Sequence, residues 1–168
     1  MNPDPTSASV PPAVAAAHPG AARDPGNADA LWRRVAVSLS RQGMMRHLGV
    51  RLVAVASGSV SLAMPYSERV SQQQGGYHGG AMGALADIAG GYAALTVAPE
   101  GMEVTTVEYK INFLAAFGDG ELLATGRVLR AGRRVIVTAA DVVHVAPDGH
   151  RSPCAVMQQT IVPVPMST

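Results

Sequence analysis

The sequence predicts an α+β fold in which a curved antiparallel β-sheet is wrapped around one long central helix. Three observations lead there. Residues 81–97, AMGALADIAGGYAALTV, form a helix-length run that carries a single charge, Asp87, and a helix apolar on every side is buried on every side. Runs with period-two alternation stand before and after it, as strands with one buried face require. Short turns separate successive runs, which implies antiparallel pairing. One helix buried all round needs a sheet to cover it.

Residues 1–27 are rich in Ala, Pro, Gly and Ser. Such a segment cannot bury enough surface to offset its ordering entropy, so a disordered tail is expected there and the folded domain over residues 28–165. Asn27 or Asp29 can cap a first helix. Residues 30–47 place Leu31, Val35, Leu39 and Met44 at roughly helical spacing, with Arg33, Arg34 and Arg41 between them, and Gly49 ends the run. Val50, Leu52, Val53 and Val55 precede Ser57-Gly58, and Val60, Leu62 and Met64 follow it. Alternation on both sides of a Ser-Gly turn reads as a β-hairpin. Residues 72–80 are polar and glycine-rich and lead into the central helix.

After Pro99-Glu100-Gly101 the alternation returns. Val107, Tyr109, Ile111 and Phe113 fall on one face of a strand, and Thr106, Glu108, Lys110 and Asn112 on the other. Turns at Gly118-Asp119-Gly120, Ala131-Gly132-Arg133 and Pro147-Asp148-Gly149 set off strands at 122–129, 135–145 and 154–164.

With 168 residues, 48% hydrophobic and 15% charged, the chain suits one domain with a real core. A net charge of +1 argues against nucleic acid as a partner. No run of about 18 apolar residues is present, so no membrane partnership is expected. The start, MNPDPTSAS, lacks the basic and apolar regions of a signal peptide. Cys154 stands alone, so the fold forms no internal disulfide, as suits a reducing compartment; a cytoplasmic location is expected, with Cys154 as a buried filler. His18, His47, His144 and His150 share no spacing, and no Cys/His cluster exists. No metal or other cofactor is expected.

Asp87 is the anomaly. It lies mid-helix beside Leu85, Ala86, Ile88 and Ala89. A buried carboxylate must find partners or hold its proton, so its presence points either to a structural bond or to chemistry. Tyr77-His78-Gly79-Gly80 opens the helix. The first turn of a helix has unpaired N–H groups that attract negative charge, and glycine lets a ligand approach them. Such a site can stabilise a developing oxyanion, although a lone His-Gly-Gly is also how many loops turn into a helix. His78 and Asp87 are nine residues apart, about 13 Å along a helix. Within one chain they cannot both touch one reacting carbonyl. Across a two-fold axis they can, which favours an isologous homodimer with paired sites.

Residues 76–94, GYHGGAMGALADIAGGYAA, together with residues 105–114, TTVEYKINFL, resemble the phenylacetate-pathway (PaaI-like) branch of the hotdog-fold acyl-CoA thioesterases, over roughly residues 48–162. The resemblance implies the hotdog fold, an acyl-CoA substrate and a homodimer or dimer of dimers. It implies that Asp87 acts as general base or nucleophile, that the Gly79 N–H receives the thioester oxygen, and that His78 supports that loop or the carbonyl. It gives Gln72 the placing of water or thioester, and Thr106, with Thr105 adjacent, the assistance of the carboxylate. Gly80, Tyr77, Met82 and Phe113 are expected near the substrate, with Met64 as a further candidate. Gln72 replaces the Asn usual beside an Asp-type site, with Gln73 and Gln74 next to it. Gly91 stands where one subgroup has a hydroxyl residue. Arg127, Arg130, Arg133, Arg134 and Arg151 are candidates for the CoA phosphates, each equally at home as a solvated charge. Two rivals belong to other classes: a hotdog acyl-CoA sensor, which would release neither thiol nor enoyl product, and a hydroxyacyl-thioester dehydratase, which would release an enoyl thioester.

Overall fold

A computed structural model describes residues 25–166. The expected tail lies outside the described residues except at its last positions, which belong to helix α1 (Pro25–Arg41). Proline suits a first helical turn, where its missing N–H costs nothing. Asn27 and Asp29 therefore lie within the helix and do not cap it. The helix expected over 30–47 is two. The chain breaks at Gln42, whose backbone is extended (φ −80°, ψ 104°), and resumes as α2 (Gly43–His47). The break lets the Gln42 amide donate to the Tyr92 hydroxyl at 2.8 Å. Gly49, at φ 71°, terminates α2 in a conformation that favours glycine.

Six strands form one antiparallel sheet: β1 (Arg51–Ala56), β2 (Ser59–Pro65), β3 (Met102–Phe113), β4 (Glu121–Ala131), β5 (Ile136–Val145) and β6 (Arg151–Pro165). Their order is β1-β2-β4-β5-β6-β3. A 3-10 turn, Glu68–Val70, follows β2, and the central helix α3 spans Gly79–Leu95. Pairing of successive strands holds for β1–β2, β4–β5 and β5–β6. It fails for β3, which lies at the far edge against β6, while β2 pairs with β4. Residues 114–120 carry the chain from β3 to β4. That crossing covers three strand spacings, about 14 Å, and seven residues can span about 23 Å.

The alternation of β3 is also broken. Its register against β6 shifts between Thr106 and Glu108, which leaves Val107 as a bulge residue. A bulge moves the following residues to the opposite face of the strand. Thr106 and Tyr109 therefore both face α3, contrary to the strict alternation read from the sequence. Thr106 bonds Asp87, and the Tyr109 hydroxyl lies 4.0 Å from where a Cβ on Gly83 would stand.

The core sits between α3 and the concave face of the sheet. Leu85, Ala86 and Ala89 of the helix pack in one cluster with Leu62 and Met64 of β2, Leu122 of β4 and Val142 of β5. No helix among the described residues is long and apolar enough to cross a membrane.

Candidate active site

Asp87 projects from the middle of α3 at a half-buried position. Its Oδ1 accepts a hydrogen bond from Thr106 Oγ1 at 2.8 Å and a second from Gln159 Nε2 at 2.6 Å. Gln159 also donates to the Asp87 main-chain carbonyl at 3.0 Å, and its own Oε1 accepts from Thr138 Oγ1 at 3.0 Å. The carboxylate is thus tied to three strands. Thr106 comes from β3, Gln159 from β6 and, behind it, Thr138 from β5. Sequence reasoning found Asp87 and Thr106 but missed Gln159 and Thr138. A signal existed: Gln159 occupies the buried phase of β6 between Met157 and Ile161.

Beside Asp87 a cleft of about 360 Å³ opens between α1, α3 and β3. Thr106, Ile88, Leu95 and Val104 line one part of it, and Ser38, Gln42 and Tyr92 another. Tyr92 links these polar walls by donating to Ser38 Oγ at 3.2 Å. A larger hollow of about 530 Å³ lies on the outer face of the sheet around Lys110, Arg127 and Asp141. It is lined by residues of the strands alone, and Asp87 does not reach it.

The other half of the constellation lies at the start of α3. His78 is its N-cap, and its Nδ1 accepts from the Gly80 N–H at 2.8 Å. That bond occupies one of the first-turn donors. The neighbouring Gly79 N–H has no acceptor among the described residues and, as a first-turn donor, has none within its helix. The Phe113 ring lies over Gly79, with Cζ 3.2 Å from where a Cβ would stand. The loop before the helix is anchored by Tyr77 N–H to Phe117 O at 2.8 Å and His78 N–H to Val70 O at 2.7 Å.

The structure brings Asp87 and Thr106 together, and His78, Gly79, Gly80 and Phe113 together. It does not join the two groups within one chain. Gln72 lies in the loop, where its Oε1 accepts from Gln74 N–H at 3.0 Å, so its amide is engaged in its own turn. Tyr77 and Met82 are core residues in the single chain. Tyr77 is 3% exposed, and its hydroxyl donates to the carbonyls of Met64 and Gly120. Burial, with the nearby Glu121 charge, pushes its ionisation well above the usual range. Met82 and Met64 are 2% and 0% exposed. Arg127 pairs with Asp141. Among the described residues no group of His, Cys, Asp and Glu is arranged to hold a metal ion.

The geometry offers a fixed carboxylate on a cleft and, elsewhere on the same helix, an open main-chain donor. Known proteins resemble this chain in sequence and fold. The profile described as the thioesterase superfamily matches residues 74–147, which include the His-Gly-Gly turn, Asp87 and Thr106. A protein of Saccharolobus solfataricus that carries an esterase name is 38% identical over 94 residues, 56% of this chain; the chain spans 66% of that relative's length. A solved thioesterase family protein from Silicibacter pomeroyi superposes with a TM-score of 0.77 at 33% identity, covering 81% of this chain and 99% of that one. The PaaI protein of E. coli, from the phenylacetic acid degradation operon, shares the fold with a TM-score of 0.72 at 20% identity, covering 82% and 95% of the two chains.

Proposed function

The chain belongs to the thioesterase superfamily, and from that premise we propose that it hydrolyses an acyl-CoA thioester to a free carboxylic acid and CoA. The observation that carries the proposal is the Asp87 carboxylate, held by Thr106 and Gln159 at the side of an open cleft. A thioester carbonyl is already reactive, so one carboxylate, one oxyanion donor and a placed water suffice.

In this reading Asp87 either takes the proton from a water that attacks the carbonyl carbon, or attacks that carbon itself to form an anhydride that water then hydrolyses. In both routes the carbon–sulfur bond breaks and CoA leaves as the thiol, its proton supplied by the water consumed. The oxygen of the thioester moves towards the Gly79 N–H of the partner subunit, where the helix dipole favours the developing negative charge. His78 holds the neighbouring Gly80 N–H and so fixes that turn. Phe113 walls the acyl group beside Gly79, and Gln72 contributes from the loop.

The helix geometry supports the pairing of two chains, since the two halves of the site lie about 13 Å apart along α3. The shape of the molecule supports it. Strand β3 forms an edge of the sheet, and it exposes Val107, Tyr109 and Phe113, each about half accessible in the single chain. An apolar edge of that length is a surface that proteins pair or cover. We place β3 against β3 of the second subunit, with two such dimers able to associate, and the enzyme in the cytoplasm.

Release of free thiol from a panel of acyl-CoAs, phenylacetyl to long-chain, tests the activity. The parent protein is expected to release CoA, and Asp87→Asn to do so at least about a hundredfold more slowly. No release from any member would refute the enzyme. A monomer at micromolar concentration would refute the shared site.

A further inference from the structure

Gln159 is fully buried at a position of β6 that faces the central helix, where Met157 and Ile161 mark the apolar phase. An amide at such a place costs stability unless every polar atom is bonded. Here all are engaged by two residues: Nε2 donates to Asp87 Oδ1 and Asp87 O, and Oε1 accepts from Thr138, itself 0% exposed. The helix yields space for it. Gly90 stands opposite, and a Cβ there would lie 1.6 Å from Gln159 Oε1. Glycine within a helix costs roughly 1 kcal/mol relative to alanine. Three unfavourable choices, a buried amide, a buried hydroxyl and a mid-helix glycine, converge on one contact with the Asp87 carboxylate.

Both side-chain donors reach the same oxygen. Thr106 and Gln159 hold Oδ1 at 2.8 and 2.6 Å, while Oδ2 has no hydrogen-bond partner among the described residues and Asp87 borders the cleft. Rotation of the carboxylate would break both bonds. We propose that Gln159 is a positioning residue for thioester hydrolysis, which with Thr106 pins Asp87 by Oδ1 and presents Oδ2 as the reacting oxygen. The inference rests on the reading that Asp87 acts on an acyl-CoA, and it assigns the division of labour between the two oxygens.

Gln159→Leu keeps the side-chain bulk and removes the donor. It is expected to lower kcat about 10- to 100-fold, the worth of one hydrogen bond to a charged group, with KM within about twofold. Gly90→Ala, which crowds the amide, is expected to lower kcat similarly, and the double variant to be no worse than Gln159→Leu alone, because both act through one contact. A folded Gln159→Leu with kcat unchanged, or with KM raised and kcat intact, would overturn the proposal. A second measurement does not depend on turnover. The carboxyl carbon resonance of Asp87, identified by its loss in Asp87→Asn, is expected to move in Gln159→Leu, and an unmoved resonance would overturn the positioning contact. A moved resonance in a parent protein that cleaves no acyl-CoA would sustain the contact and overturn the thioesterase reading instead.

Discussion

Gly126 of β4 lies so close beneath the carbonyl of Ala89 that a Cβ at position 126 would stand 2.1 Å from its oxygen and 2.5 Å from the Gly90 nitrogen. The atoms met are helix backbone, which cannot swing aside as a flexible side chain would. The middle of α3 therefore rests directly on the sheet, at the turn of helix that also carries Asp87. Gly126→Ala is expected to lift that turn and cost about 1–3 kcal/mol or more. Urea unfolding measures it, and an unchanged midpoint would show that the helix rides higher than described.

Thr106 offers a cleaner probe of the carboxylate, because it is reached from the bulge side of β3. Thr106→Val keeps the shape and removes the donor to Asp87 Oδ1. A fall in kcat of about tenfold or more is expected, in line with the loss of a charged hydrogen bond. Thr106→Ser keeps the hydroxyl and should retain most of the activity. Equal losses in both variants would mean that the methyl group matters and the hydrogen bond does not.

The reach of the sequence is clear from these residues. The hairpin at Ser57-Gly58, the apolar helix and the lone Asp87 were legible because each is a local pattern. The edge position of β3 was not legible, since strand order is decided by where a seven-residue connection lands. The Val107 bulge was hidden for a related reason. Thr106 and Tyr109 have opposite parity in the sequence, and only pairing with β6 shows that an extra residue returns both to the helix side. Gln159 was visible as a polar residue in a buried phase. Its partner lies 72 positions away, and no spacing rule connects residues at that distance.

His78 can be separated from chemistry by its capping bond. Its Nδ1 accepts the Gly80 N–H, a task that an asparagine oxygen performs well at a helix N-cap. His78→Ala is expected to lose about 1 kcal/mol of stability and, with the turn at Gly79 loosened, activity as well. His78→Asn should recover the stability. Thiol-release rates for the two variants then divide the role: recovery of activity with the cap assigns His78 to holding the loop, whereas continued loss assigns its ring to the carbonyl.

Cys154 lies at 0% exposure in the main core cluster, with its thiol donating to Val142 O at 3.3 Å. Burial pushes its ionisation up from an ordinary value near 9 to about 11. The folded chain thus keeps a proton that the unfolded chain gives up between those values. Fewer protons on the unfolded state mean that stability falls as pH rises. The thiol's effect should be absent below about pH 9 and develop as pH climbs towards 11. Tyr77, raised from 10 by the same cause, should steepen the loss above pH 10. Denaturant midpoints measured from pH 7 to 11 test this, with Cys154→Ala as the control. The lost volume makes the variant uniformly less stable, but its decline between pH 9 and 10 should be shallower than that of the parent. Parallel declines would show that the thiol ionises alike in both states. Consistent with burial, Cys154 in the folded parent should react with a thiol reagent at pH 8 far more slowly than after unfolding in urea.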